Sequence, residues 1–448
     1  MCGLNFTFCD KGNIERMNDL IAHRGIRKDV LSYKDCHFGH VRLPIQGLGT
    51  EYDQPYYYKE FIFLFVGEIF NFKELEKDAK SDIEVLAKWW AAKGVDCFVY
   101  FDGFWSVIVY DIKLNEVHIV TDYLAKKPLY IHLPTLSVSS EIKSLCKLSG
   151  HDYSVDKLYF SSVSKWGYYI GDRTYFNEIK KIPPCSHWKI SKKKELSKQF
   201  YTSLEPRDDI NIKEALNFAL KRRTIADIPI GILVSGGIDS SILYKMVERI
   251  THNITVFHID NGEEEFLNWL NIPSDIKVVK LKLGESDLSS NLYYNESPVD
   301  LGSMLPQYNL GKAIKDQGIN VAISGDGADE LFGGYRRSKE YDSQYSDIFE
   351  ELVYYHLPRL DKLMMAHTVE LRSPFLAKYI IESSLGLDYE KNRIDKSFLR
   401  KTFKDILPKQ IVDRKKHPLK SKQVLKNNIE WRYKLIKKFK EELLNEYR

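Results

Sequence analysis

Ile230-Gly231-Ile232-Leu233-Val234-Ser235-Gly236-Gly237-Ile238-Asp239-Ser240-Ser241 decides how the second half of this chain folds. An apolar run meets a Ser-Gly-Gly turn and then a stretch of helical periodicity. That pattern predicts a buried strand over Ile230–Val234, a tight turn, and a helix from about Asp239 to Ile250. Two glycines, Gly236 and Gly237, let the backbone come close to a ligand. The N–H groups that follow, at a helix N-terminus, form an anion site. Ser235, Ser240 and Ser241 add hydroxyl donors. Asp239 would repel a phosphate unless a cation lay between them, so Mg²⁺ is implied. The lysine-containing loop of the kinase-type nucleotide binders is absent.

The surrounding sequence keeps the same rhythm. Ile212 to Ala226 reads as a helix. Ile254 to Ile259, Ile276 to Leu283 and Asn320 to Ile323 read as strands, with helices near Glu263 to Leu270 and Gln307 to Lys315. Alternating strand and helix predicts a doubly wound parallel sheet, followed after about Asp347 by a mostly helical tail with a basic end, Lys434 to Arg448. A second strand-to-turn element is Ser324-Gly325-Asp326-Gly327-Ala328-Asp329-Glu330-Leu331-Phe332-Gly333-Gly334-Tyr335. Carboxylates packed among glycines are costly unless they bind metal or handle protons. In a doubly wound sheet the two turns can meet at one crevice.

The first ~190 residues are of another kind. Phe61 to Phe70, Trp105 to Ile112, Val117 to Tyr123 and Leu129 to His132 are short β-branched or aromatic runs at hairpin spacing, which predicts stacked antiparallel sheets with few helices. One helix is expected from Asp82 to about Lys93, with Ser81 and Glu84 as a capping box. Two domains are expected, 2–190 and 210–448, joined by a polar linker over Ser191–Asp209.

Composition narrows the class. Among 448 residues, 66 are basic and 62 acidic, a net charge of +4 that gives no reason to propose nucleic acid as a partner. The apolar runs are far shorter than the ~20 residues of a membrane span, and the start MCGLNFTFCDKG lacks the pattern of a secretory signal. The six cysteines, Cys2, Cys9, Cys36, Cys97, Cys146 and Cys185, form no CxxC pair. Reduced thiols in a cytoplasmic protein are the simplest expectation.

The two glycine-rich elements resemble the signatures of the glutamine-dependent asparagine synthetase family. The resemblance continues through Asp361 to Leu376 (DKLMMAHTVELRSPFL), Lys396 to Arg400 (KSFLR) and Leu407 to Lys416 (LPKQIVDRKK). It implies an enzyme that adenylates a carboxylate with MgATP, releases pyrophosphate and lets ammonia displace AMP. Carried over by position, Ser235 to Ser240 cradle the phosphates, and Asp239 with Asp329 holds Mg²⁺. Ser324 and Gly325 line the nucleotide site, with Leu233 and Ile259 near the base. Asp326 is the candidate to bind or deprotonate the amine, and Lys396 the lysine that offsets charge during adenylation. Ala377 departs from the family, which has Asp after PFL.

The N-terminus fits the same resemblance. With Met1 removed, Cys2 carries a thiol and a free α-amino group whose reference pKa of ~8 suits a base near neutral pH. His23-Arg24-Gly25, His40 to Ile45, Gly67-Glu68-Ile69-Phe70-Asn71 and Ser81-Asp82 follow in the order of a class II (N-terminal nucleophile) glutamine amidotransferase domain. Lys127-Pro128-Leu129-Tyr130 and Ile179 to Pro184 fit its end. The resemblance implies that Arg42 pairs with the glutamine α-carboxylate and Asp82 with its α-ammonium. The pattern breaks at Val66, where the family has the Asn of the oxyanion hole, leaving only the Gly67 amide. Thr121 and Ala125 also stand where Arg and Gly are usual.

The expectation is therefore synthesis of an amide, with aspartate as the first candidate acceptor and glutamine as nitrogen donor. The alternatives are a related ligase acting on another carboxylate, use of free ammonia because of Val66, and a non-catalytic binding module. Small molecules are the expected partners, with a homodimer left open.

Overall fold

The computed structural model describes residues 2–148, 150–260, 264–284, 287–298, 304–334, 347–388, 394–414 and 429–444. Tyr335, Lys415, Lys416 and residues 445–448, all part of the motifs and tail above, lie outside the described residues.

The N-terminal half is built from two six-stranded antiparallel sheets. The first runs Ile179–Lys181, Tyr130–His132, Ser137–Ser139, Gly3–Thr7, Cys36–Arg42, Arg27–Tyr33; the second runs Leu196–Phe200, Ser186–Ile190, Glu116–Thr121, Gly103–Asp111, Phe61–Ile69, Tyr56–Tyr58. Alternation along Phe61–Ile69 explains the layering. Ile62, Leu64 and Val66 face the first sheet, meeting Leu4, Phe6 and Phe38. Phe63, Phe65 and Ile69 point the other way, to a cluster that holds Leu86 and Trp90 of the helix Asp82–Lys93. That helix starts with the expected Ser81–Glu84 capping box.

The C-terminal half holds a five-stranded sheet, ordered Lys277–Leu281, Thr255–Ile259, Ile230–Leu233, Val321–Ile323, Glu370–Arg372, with every pairing parallel. Ile230–Leu233 and Val321–Ile323 are neighbours, so the two glycine-rich turns open at the same edge. This is the predicted fold class in both halves.

Two readings need correction. The segment Ser191–Asp209 is not all linker, because Leu196–Phe200 pairs along the whole of Ser186–Ile190 and extends the second sheet. This edge strand is held by backbone pairing and is mostly exposed, so it lacks the apolar alternation that marks a strand. The helical tail also contains a strand, Glu370–Arg372. Its charged ends disguise it, yet all three residues are buried because Glu370 and Arg372 neutralise each other at 2.7 Å. Among the described residues, no helix is long and apolar enough to cross a membrane.

Candidate active sites

The nucleotide-type crevice is assembled from three chain segments. After the strand Ile230–Leu233 the chain turns through Ser235–Gly237 into the helix Ile238–Val247. Gly236 takes φ +73°, and a Cβ there would fall 2.2 Å from an Arg414 Nη1 and 2.4 Å from the Phe266 ring. Only glycine fits that backbone and that space. Ser240 Oγ accepts from the Ser235 N–H at 3.1 Å and donates to the Gly237 carbonyl at 3.2 Å, so the loop is braced in an open curve. Leu233 and Ile259 lie half-buried at the C-terminal ends of adjacent strands.

The second turn closes onto the first. A Cβ on Gly325 would lie 3.1 Å from Asp239 Cβ, so the two motifs touch across this glycine. Ser324 Oγ donates to Asp326 Oδ2 at 2.7 Å, which fixes that carboxylate near the turn. Lys396 completes the group: its Nζ contacts Asp239 and lies 2.7 Å from Asp329 Oδ1. Burial alone would lower the Lys396 ammonium, but the two carboxylates outweigh it and hold it above the usual lysine range. The pair is therefore built around a cation. Two hard-oxygen ligands facing a phosphate-type loop also suit Mg²⁺, which is commonly held by one or two carboxylates together with substrate phosphates.

The second candidate site surrounds Cys2, just before the strand Gly3–Thr7. Burial pushes its thiol up, while the Leu43 amide and the Arg42 guanidinium pull the other way and Glu68 adds to the rise. Arg42 and Glu68 thus both lie close enough to Cys2 to act on its thiol. Gly67 has φ +151°, and a Cβ would come 2.1 Å from the Phe104 carbonyl, so the neighbouring strand leaves room only for glycine. Asp82 is buried at the start of its helix and accepts from the Ile69 N–H at 3.0 Å. Burial raises its carboxyl to about 6, against opposing pulls from that N–H and from Arg42. Val66 points into the apolar cluster between the sheets, the same cluster that Cys2 packs against.

Arg42 is placed differently from the sequence expectation. Its guanidinium donates to Asp53 Oδ1 at 2.6 Å and to the carbonyls of Gly49 at 2.8 Å, Gln46 at 3.2 Å and Gly47. It braces the loop 46–53 rather than standing open to a substrate carboxylate.

The residues that sequence reading missed join the two halves. Arg24 is fully buried and donates to Glu141 Oε1 at 2.8 Å, to Asp361 Oδ2 at 2.7 Å and to the Cys2 carbonyl at 3.0 Å. Lys127 Nζ reaches the other oxygen of Asp361 at 2.7 Å. Burial alone would raise the Asp361 carboxyl; Arg24 and Lys127 overcome it and hold the group below the usual range. Arg372 repeats the theme, 3.3 Å from Glu68 and bonded to the carbonyls of Arg223 and Ile225. Charged residues inside the HRG, DKLMM and ELRSPFL stretches were the available signal.

A glutamine amidotransferase domain model matches residues 1–202, and an asparagine synthase model matches residues 211–347 and 337–448. The chain belongs to the asparagine synthase family. Asparagine synthetase (glutamine-hydrolyzing) 2 of Oryza sativa subsp. japonica is 26% identical over 480 residues, covering 93% of this chain and 76% of its own length. The asparagine synthetase (glutamine-hydrolyzing) of Zea mays is 27% identical over 480 residues, covering 93% and 77%. A solved structure of the allosteric regulatory enzyme of purine biosynthesis overlaps 83% of this chain and 80% of its own at 12% identity, with a TM-score of 0.35. As a member of the asparagine synthase family, the chain is an enzyme of this ligase type: it uses ATP, acts on small molecules and couples a glutamine amidotransferase half to an amide-forming half.

Proposed function

We propose that this enzyme makes asparagine or a close analogue, aspartate being the acceptor and glutamine the nitrogen donor. The acceptor carboxylate is adenylated with release of pyrophosphate, and ammonia then displaces AMP. The observation that carries this reading is the convergence of Asp239, Asp329 and Lys396 beside the Ser235–Ser240 loop. In this reading Ser235, Gly236, Gly237 and Ser240 cradle the phosphates, Leu233 and Ile259 flank the base, and Ser324 and Gly325 close the far wall. Asp239 and Asp329 would hold Mg²⁺, which when bound offsets the charge of the triphosphate. Lys396 offsets charge on the phosphate being transferred, and Asp326 receives the proton that the attacking amine sheds.

The amidotransferase unit, 2–190 with the added edge strand, supplies the ammonia, and the unit 210–448 uses it. Cys2 is the nucleophile, the Gly67 amide faces the developing oxyanion, and Asp82 receives the α-ammonium. Arg42 serves the α-carboxylate once the loop 46–53 gives up part of its hold. A second reading, a different acceptor acid with free ammonia as donor, is favoured by Val66, whose apolar side chain offers no donor to an oxyanion. The deciding measurement is pyrophosphate release with MgATP over a panel of carboxylates, aspartate first, with glutamine or ammonia as donor. Release only with another acid rejects asparagine as product. Cys2→Ala should remove the glutamine-dependent rate and leave the ammonia-dependent one.

A further inference from the structure

A cavity of about 60 Å³ opens at the joint between the halves, and no residue of either candidate site lines it. One wall comes from the helix Lys157–Trp166, the segment 169–174 and the strands Tyr130–His132 and Ile179–Lys181. The other comes from 295–297 and the helix Leu357–Met365. The space suits about four to six waters, the scale of one small polyatomic ion rather than of a nucleotide. Arg173, with its side chain 35% exposed, marks the side open to solvent.

The lining is strongly one-signed. Arg173, Lys181, Arg359 and Lys362 share it with a single carboxylate, Glu296. That carboxylate is already committed. Lys362 lies 2.7 Å from it and Lys143 3.6 Å, and it accepts from the Ile142 and Lys143 N–H groups at 3.0 and 2.7 Å. Arg173 has Asp156 at 2.8 Å. Lys181 has no such partner. It is 6% exposed, its Nζ donates to the Val353 carbonyl at 2.8 Å, and the same Nζ lies 4.7 Å from the centre of the Tyr354 ring. Among the described residues, no carboxylate stands within ion-pair distance of it.

A buried ammonium without a counter-ion is costly. Burial first, then Lys362, bring the titration of Lys181 down to about 7, with Asp122 opposing. A dianion in the cavity would supply the missing counter-charge and draw the proton back onto this amine. Hydroxyls complete the donor set. Tyr159 and Ser297 both line the cavity with their oxygens 2.6 Å apart, so one hydroxyl proton of the pair stays free for a ligand. Cations and hydroxyls around so compact a space match an oxyanion with four oxygens better than a carboxylate with two.

We propose that this cavity binds a small phosphate-type oxyanion, free phosphate or the phosphoryl group of a small ester, held by Lys181 from one half and by Arg359 with Lys362 from the other. The ion clamps the halves together at a point that neither reaction uses.

The test uses the full-length enzyme with MgATP at saturation and neither acceptor acid nor nitrogen donor, so the synthetase loop is filled and nothing turns over. Equilibrium dialysis against radiolabelled inorganic phosphate should find one ion per chain. Lys181→Met removes the uncompensated cation at similar volume and should weaken retention at least tenfold. It leaves no buried partner unpaired, so the fold should hold. Ser297→Leu puts a branched apolar group into the space with all four cations in place and should abolish retention, which decides the matter even where Lys181→Met does not fold. Phosphate should raise the urea midpoint of wild type above its value in chloride of equal ionic strength, and that of neither variant. Glycerol 3-phosphate as competitor separates the two sources. Displacement admits esters and no displacement reserves the cavity for the free ion, and each result supports the oxyanion site. No retention by wild type, undiminished retention in either variant, or a midpoint shift that chloride reproduces overturns the proposal.

Discussion

Lys396 Nζ lies 2.7 Å from Asp329 Oδ1 and also contacts Asp239, so one ammonium joins a carboxylate from each of the two glycine-rich turns. The contact spans the crevice that the parallel sheet creates, and Lys396 there stands where a divalent ion would be drawn.

Lys396 and a metal should therefore compete for the same carboxylates. Lys396→Met should tighten nucleotide-free Mg²⁺ binding, read by calorimetry, by about tenfold, the equivalent of ~1.4 kcal/mol. It should also depress pyrophosphate release by roughly 10²-fold, because a charge aimed at the transition state is lost. Asp239→Asn and Asp329→Asn should weaken Mg²⁺ binding instead. If Lys396→Met leaves both quantities unchanged, the ammonium is only a structural clamp.

The crevice was legible because its chemistry sits in contiguous runs. A buried strand, glycines and an acid at fixed spacing dictate a turn whatever the distant chain does, and Ser235, Asp239 and Asp326 come from such runs. Lys396 depended on resemblance, since its partners come from two distant turns. Arg24, Asp361 and Arg372 were illegible in their roles for the same reason. Each is a charge that can be buried only because an opposite charge arrives from elsewhere, and one sequence carries no sign of that pairing. Arg42 was expected to face a substrate carboxylate, but the carbonyls of the loop 46–53 that engage it are backbone groups, invisible to side-chain reasoning.

The Asp361 pairs are the first place to test the joint between the halves. Asp361→Ala leaves Arg24 and Lys127 buried with one carboxylate fewer, and removing one member of a buried ion pair costs about 3–5 kcal/mol. Urea unfolding followed by tryptophan fluorescence should show a clear drop in midpoint. Cys2 should respond as well, because Arg24 holds its carbonyl. A midpoint within error of wild type would mean that solvent already reaches this network.

Asp82 makes glutamine binding depend on pH. Its carboxyl titrates at about 6 in the folded protein, above the ordinary aspartate range, and only the ionised form attracts an α-ammonium. KM for glutamine should rise as pH falls through 6, approaching tenfold per pH unit below it. The sign for folding is opposite to that of a salt-bridged acid. The folded state holds this proton more tightly than the unfolded chain, so Asp82 favours folding below its folded pKa and costs stability as pH rises through about 6. Asp82→Asn should flatten the KM profile. A profile that stays steep in that variant assigns the titration to another group, first Glu68, whose carboxyl is raised by burial, by Glu370 and by Asp82 itself.

The last prediction concerns Val66. Its side chain is buried with Leu4, Phe6, Leu64 and Ile108, on the face that Cys2 packs against. An oxyanion donor matters only while negative charge develops on the carbonyl oxygen, so its absence should depress kcat more than glutamine binding. Asp82 and the neighbouring Gly67 amide remain for the bound substrate and the nascent oxyanion. Wild-type enzyme should therefore bind glutamine and hydrolyse it slowly, and Val66→Asn should raise kcat by up to ~10²-fold with little change in KM. The substitution also puts an amide into an apolar cluster, which should cost about 1–3 kcal/mol of stability wherever that amide is left without a partner. Higher kcat with a lower unfolding midpoint is thus the expected signature, read by steady-state glutaminase kinetics and urea unfolding of both proteins. A brisk wild-type enzyme that Val66→Asn slows would show that the oxyanion is already served by other donors. Val66 would then be a packing residue in a pocket complete without it.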